Sequence, residues 1–144
     1  MNPLAIAASL LGLVALATAA GLVWRASTGR ARAVSSSDTV ISVSELSADA
    51  VAGSGATLLQ FSTEVCAPCK TTRTLLRSLA AELDPVRHVD VDVTHRPDIA
   101  NRFNLLQSPT TFILDARGVV RSRIGGAPRP GEVRAELDRI LAAS

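Results

Sequence analysis

Two cysteines three residues apart, Cys66 and Cys69 in Glu64-Val65-Cys66-Ala67-Pro68-Cys69-Lys70, have the clearest capacity for chemistry in this chain. Thiols at that spacing on the first turn of a helix close a small disulfide ring, so the pair toggles between dithiol and disulfide with little backbone change. Unpaired N–H groups and the macrodipole at a helix amino end favour a negative sulfur, which makes Cys66 the expected exposed nucleophile. Lys70 adds positive charge nearby. Cys69, deeper in the turn, is the expected resolving thiol, attacking the mixed disulfide that Cys66 forms with a substrate. Pro68 suits the first turn, where a missing backbone donor costs nothing. Two other readings compete on residue types alone. A zinc site usually needs four ligands, and the only imidazoles are those of His88 and His95, the first set among apolar strand residues. Inert buried thiols are the other, since free Cys is commonly buried. Position favours redox chemistry, because the pair stands after a buried strand and before a helix. No metal and no other cofactor is expected.

The elements that must position the pair are legible in apolar spacing. Leu58, Leu59 and Phe61 form one short buried run, and Val86, Val89, Val91 and Val93 another; both read as inner parallel strands. Between them Leu75, Leu76, Leu79, Ala80 and Leu83 share one face of a helix. Pro97 to Phe103 predicts a short helix opened by proline. Thr110 to Leu114 and Val119 to Ile124, split by Asp115-Ala116-Arg117-Gly118, predict an antiparallel hairpin. Pro130 opens a last helix whose Val133, Leu137, Ile140 and Leu141 cover the sheet. Val40 to Val43 is read as an edge strand and Glu45 to Ala52 as a short helix. The alternation predicts an α/β domain with helices flanking a central mixed sheet.

With 144 residues there is room for one such domain and an appendage. The appendage is the stretch from Leu4 to Trp24, free of charge and proline; as a helix it would be about 30 Å long, the hydrocarbon thickness of a bilayer. Residues 1–25 are therefore read as an N-terminal transmembrane anchor, 26–37 as a small, polar and basic linker, and 38–144 as the domain. Trp24 and Arg25 suit the interface. A cleaved signal peptide ending near Ala17-Thr18-Ala19 is the competing reading, but the basic n-region it needs is missing and the apolar core is long. Arg25, Arg30 and Arg32 follow the span and no charged side chain precedes it, which predicts a single-pass cell-membrane protein with its domain in the cytoplasm; the alternative is an extracytoplasmic domain. Residues 38–144 carry 12 Lys/Arg against 13 Asp/Glu and the chain has no Tyr, so a nucleic-acid partner is set aside.

Phe61-Ser62-Thr63-Glu64-Val65-Cys66-Ala67-Pro68-Cys69-Lys70, then Ser108-Pro109-Thr110-Thr111-Phe112, the hairpin, Gly126 and the closing helix together resemble the thioredoxin family over about residues 38–144. The anchored form resembles thioredoxin-like proteins of actinobacteria. The resemblance implies a thioredoxin-like fold, a thiol–disulfide oxidoreductase that reduces protein disulfides, and an electron donor such as a thioredoxin reductase or a membrane thiol donor. It implies a cis peptide at Pro109 facing the disulfide, with Val65, Ser108 and Pro109 as substrate-binding positions. Alternatives are an envelope oxidoreductase for disulfide formation or cytochrome maturation, and a non-catalytic binding module. This chain departs from the family at three places. Val65 stands where a Trp usually precedes the first Cys. Gln60 occupies the position of a buried acid that assists proton transfer at the second Cys, and Gln cannot titrate. Glu64 and Asp90 are candidate substitutes through water, though each also suits a solvated position. Thr74 replaces a Pro in the active-site helix, which predicts a straighter helix.

Overall fold

The computed structural model describes residues 2–34 and 39–143. In chain order its elements are α1 (Pro3–Ser27), β1 (Arg32–Ala33), α2 (Val43–Leu46), β2 (Ala56–Ser62), α3 (Ala67–Glu82), β3 (Val86–Asp92), α4 (Pro97–Arg102), β4 (Thr110–Asp115), β5 (Val120–Gly125) and α5 (Pro130–Ala142). The Asn2 side chain starts α1 by accepting the Leu4 N–H at 3.2 Å, and Pro3 stands where no intrahelical donor is needed. None of the 25 residues of α1 is buried against the rest of the protein. Its hydroxyls are satisfied internally, Ser9 on the Ala5 carbonyl and Thr18 on that of Val14, as an apolar environment requires. By length and composition α1 can cross a membrane, a test that a signal sequence also passes.

The chain is captured by the domain directly after α1. Thr28 closes the helix with its N–H on the Trp24 carbonyl at 3.1 Å. Gly29 then turns with φ 77°, at a point where a Cβ would collide with the Ala127 carbonyl oxygen. The Gly29 N–H donates to Gly125 O at 3.0 Å, the Arg129 N–H donates to Gly29 O, and the Arg129 guanidinium donates to the carbonyls of Arg25 and Ala26. β1 follows, paired antiparallel with β5. The stretch read as a linker thus contains a joint and an edge strand; its residues 35–37, and the expected domain limits at 38 and 144, lie outside the described residues. Backbone groups and glycine make this joint, so no apolar period announced it.

The sheet order is β1-β5-β4-β2-β3, with β2 and β3 parallel and the other pairs antiparallel. All seven residues of β2 are buried, which makes it the inner strand expected. β3 is not inner: it lies at the edge, and its burial alternates because one face stays open to solvent. Val40 to Val43 likewise supplies only a bridge, Val40 to Val119, and the first short helix runs over Val43–Leu46, not Glu45 to Ala52, since Val43 and Leu46 turn inward three residues apart.

Alternation along β2 assigns its side chains to two cores. Leu59 and Phe61 join Phe103 and Phe112, whose rings lie 5.4 and 5.2 Å from that of Phe61. Leu58 packs on the other face with Leu76 and Leu79 of α3 and Val133 and Leu137 of α5, each such burial stabilising by about 1.5–3 kcal/mol. Gln60 shares that second face. Both helix faces are those the spacing predicted. Val91, Phe61, Thr110 and Gly125 form one row across β3, β2, β4 and β5, so the end of β2 leading to the cysteines and the start of β4 lie side by side.

Asp115 holds the opposite end. Its carboxylate accepts the N–H groups of Arg117 and Val119 at 2.9 and 3.0 Å and a two-pronged contact from Arg121. Burial pushes this carboxyl up, but those donors outweigh it and hold it below the usual carboxylate range. Asp115→Ala should cost about 2–4 kcal/mol by stranding buried donors and an arginine, read as a lower urea midpoint. An unchanged midpoint would contradict this role.

Candidate active site

β2 ends at Ser62 and the chain crosses a short loop before α3, leaving Cys66 as the helix N-cap with extended backbone, φ −141° and ψ 94°. The Cys66 sulfur accepts the Cys69 N–H at 3.2 Å, a first-turn donor that it shares with the Cys66 carbonyl. Cys66 and Cys69 are joined as a disulfide across 5.3 Å between Cα atoms. Pro68 lies in the first turn, and that turn contains no acid. Cys66 retains 8% of its surface and Cys69 1%, which keeps the expected order of access, although Cys66 is less open than its reading as an exposed nucleophile implied. A sulfur that already accepts an N–H is set up to carry negative charge once the bridge opens. α3 runs unbroken past Thr74, whose hydroxyl returns to the Lys70 carbonyl.

The Ser108–Pro109 peptide is cis. Pro109 is buried and its carbonyl accepts the Gly126 N–H at 2.8 Å, so that oxygen is taken by the protein itself. The Ser108 backbone makes no hydrogen bond among the described residues, and its N–H and C=O are the groups free to pair with an extended chain. Val65 is 98% exposed beside Cys66. The loop carrying it is tied down by the Glu64 N–H on the Thr94 hydroxyl, and Thr94 bonds twice to Asp92. Those two bonds, hydroxyl first, hold the Asp92 carboxyl below its ordinary value.

Beneath the pair, Gln60 has no exposed surface. Its amide nitrogen donates to the Cys69 carbonyl at 3.0 Å, and its oxygen lies 3.1 Å from Nε2 of His88. Since the amide oxygen only accepts, His88 must carry its proton on Nε2. Burial pushes the His88 pKa down to about 4; Asp90 opposes this, and Arg77 and Arg73 reinforce it. His88 escaped the sequence reading, where it figured only as a zinc candidate; the parallel register that sets Leu58 opposite His88 and Gln60 opposite Asp90 brings them together. Asp90 itself is committed to the Ser62 hydroxyl and to Arg73, and Glu64 is exposed, so neither takes the place of the missing buried acid. The hydroxyls of Thr72 on α3 and Thr111, opposite Gln60, are buried without a partner among the described residues.

Two sulfurs bridged at a helix head, one more accessible than the other, have the arrangement that thiol–disulfide exchange needs. The family model for thioredoxin matches residues 39–139, and the chain belongs to the thioredoxin family. Thioredoxin H2 of Arabidopsis thaliana is 35% identical over 72 residues, covering 50% of this chain and 53% of that protein; the chain thus spans about half that relative's length. A thioredoxin of Chlamydia trachomatis is 38% identical over 76 residues, 52% of this chain and 74% of its own. The crystal structure of oxidised mitochondrial thioredoxin 3 from Saccharomyces cerevisiae superposes with a TM-score of 0.52 at 27% identity, over 59% of this chain and 78% of that one.

The lowered His88 pKa carries a stability consequence. The unfolded imidazole binds its proton first as pH falls, so His88 lets stability decline from about pH 6.5 toward about 4. Partial exposure of the ring limits the loss to roughly 1–2 kcal/mol. Urea unfolding near neutral pH and again about two units lower should show wild type losing that much more than His88→Gln. Parallel losses would contradict the shift.

Proposed function

We propose that the protein is a membrane-tethered reductant of protein disulfides, with Cys66 as the attacking sulfur and Cys69 as the resolving one. The observation that carries this reading is the placement of Cys66 at the N-cap of α3 with the Cys69 N–H on its sulfur, and Cys69 enclosed behind it. In the reduced protein the Cys66 thiolate attacks one substrate sulfur, and the other leaves as a thiolate that takes a proton. Cys69, after losing its own proton, displaces the first substrate sulfur. The substrate departs as a dithiol and the Cys66–Cys69 bridge is restored. Two electrons from a thiol donor, such as a thioredoxin reductase or a membrane thiol carrier, start the next cycle.

Ser108, Pro109 and Val65 are proposed to frame the substrate: the free Ser108 backbone pairs with an extended chain, while Val65 offers a small apolar contact. α1 is proposed as the tether, and Arg25, Arg30 and Arg32 behind it favour a cytoplasmic domain. In that compartment the thiol pool keeps the pair reduced. A membrane-impermeant thiol reagent on intact cells should then leave Cys66 unlabelled until the membrane is opened; labelling of intact cells would reverse the orientation.

The full chain in detergent should catalyse insulin-disulfide reduction by dithiothreitol, and Cys66→Ser should fall to the rate of dithiothreitol alone. Equal rates for the two proteins would remove the enzymatic reading. Gln60→Glu keeps the side chain's length and supplies a titrating oxygen near Cys69, so resolution of the mixed disulfide should quicken by about tenfold. An unchanged mixed-disulfide lifetime would show that proton removal from Cys69 does not limit resolution.

A further inference from the structure

The disulfide and the exit of α1 occupy the same end of the sheet. Phe61, Thr110 and Gly125 are consecutive in one row across β2, β4 and β5. Cys66 follows Phe61 by five residues beyond that end, and Gly29 bonds to the Gly125 carbonyl on the other side of the row. From β5 to β2 is two strand spacings, about 10 Å. Ser27, the last residue of α1, is two residues from Gly29, a reach of about 7 Å at most. Since α1 buries none of its residues, it does not lie along the domain but leaves it at this end.

The junction holds that geometry. Arg129 grips the last carbonyls of α1, Gly29 admits the Ala127 carbonyl where no other residue could, and a Cβ at Gly126 would stand 2.7 Å from the Thr28 methyl. Beside the junction, Trp24, Thr28, Arg32, Leu106, Gln107 and Arg123 line a cavity of about 350 Å³. Leu106 and Val65 are the most exposed large apolar residues outside α1, at 83% and 98%; Leu106 lies three residues before the cis-proline and Val65 directly before Cys66. Arg30 and Arg32 are exposed and line that cavity with Leu106, with no acidic partner among the described residues. Apolar rim residues with arginines at the mouth of a span match the headgroup layer of a bilayer.

We infer that the joint at Thr28–Val34 holds the Cys66–Cys69 end of the domain against the membrane face, so that the substrate is a disulfide of a membrane-bound protein at headgroup depth. This deepens the proposed function and rests on α1 being a membrane span. The joint sets which disulfides come within reach; a loose tether would present the same pair in all directions.

The test uses the full chain in phosphatidylglycerol/phosphatidylcholine vesicles, reduced and freed of reductant. The probe is a phosphatidylethanolamine bearing a 2-pyridyl disulfide on its headgroup. Attack by Cys66 forms the mixed disulfide with the lipid thiol and expels pyridine-2-thione; Cys69 then frees the lipid thiol and closes the Cys66–Cys69 bridge. A variant with twelve Gly/Ser residues inserted after Ser27 keeps the span, leaves Gly29 with the domain, and frees the domain by about 20 Å. Wild type should release pyridine-2-thione about fivefold or more faster than the insertion variant in vesicles, while the two reduce insulin equally in detergent. Equal release in vesicles, with both proteins active on insulin and floating with the lipid, overturns the inference alone. Failure to float removes the span and the inference together, and loss of insulin reduction by wild type removes the proposed function instead. Should the insertion itself abolish insulin reduction, depth decides: on a Trp24→Phe background, Val65→Trp should be quenched by headgroup spin-labelled lipid and Arg117→Trp, at the opposite end, should not. Equal quenching at both positions overturns the inference.

Discussion

A sulfur atom that accepts a backbone N–H at the head of a helix is the interaction on which the rest of this protein turns. The Cys69 N–H on Cys66 lowers the cost of negative charge at one sulfur, and the other lies buried behind it. Neither feature belongs to the cysteines alone. β2 must be buried along its length to fix where α3 begins, and α3 must pack Leu76 and Leu79 on the sheet to hold its first turn in place. Asp115 and its hairpin secure the far end of the same strands, so the site is carried by rigid elements rather than by a loop.

Behind the sulfurs the chain sets a side chain that holds the backbone and cannot titrate. Gln60 cannot move a proton, but it donates to the Cys69 carbonyl while His88 fixes its orientation, and the half-buried imidazole stays neutral over the physiological range. The result is a supporting network whose charge does not change as the pair opens. That arrangement holds the helix head through neutral hydrogen bonds.

The joint after α1 is the second constraint. A flexible connection would leave the direction of the site undetermined, whereas Gly29, Arg129 and β1 pin the chain to β5 within a few residues of the helix. Under the proposed membrane attachment, that short path sets the environment in which the disulfide works as much as the residues around it do.

How much of this was legible in the sequence follows from what each feature is made of. The Cys-Ala-Pro-Cys motif, the faces of α3 and α5, the hairpin and the apolar α1 are local patterns of side-chain type, and local patterns can be read without coordinates. The cis peptide at Pro109 was implied by resemblance and is present. Other features depend on which strands become neighbours. The edge position of β3, the partnership of Gln60 with His88, and the commitment of Asp90 to Ser62 and Arg73 all follow from the parallel register of β2 and β3. The joint at Gly29 depends on backbone hydrogen bonds between segments a hundred residues apart, which carry no residue-type signature. Composition and spacing therefore determined β2, α3, the hairpin and α5 and pointed to the chemistry of the sulfurs. Only the tertiary fold decided what lies beneath them and which way they face, because both depend on contacts between residues far apart in the chain.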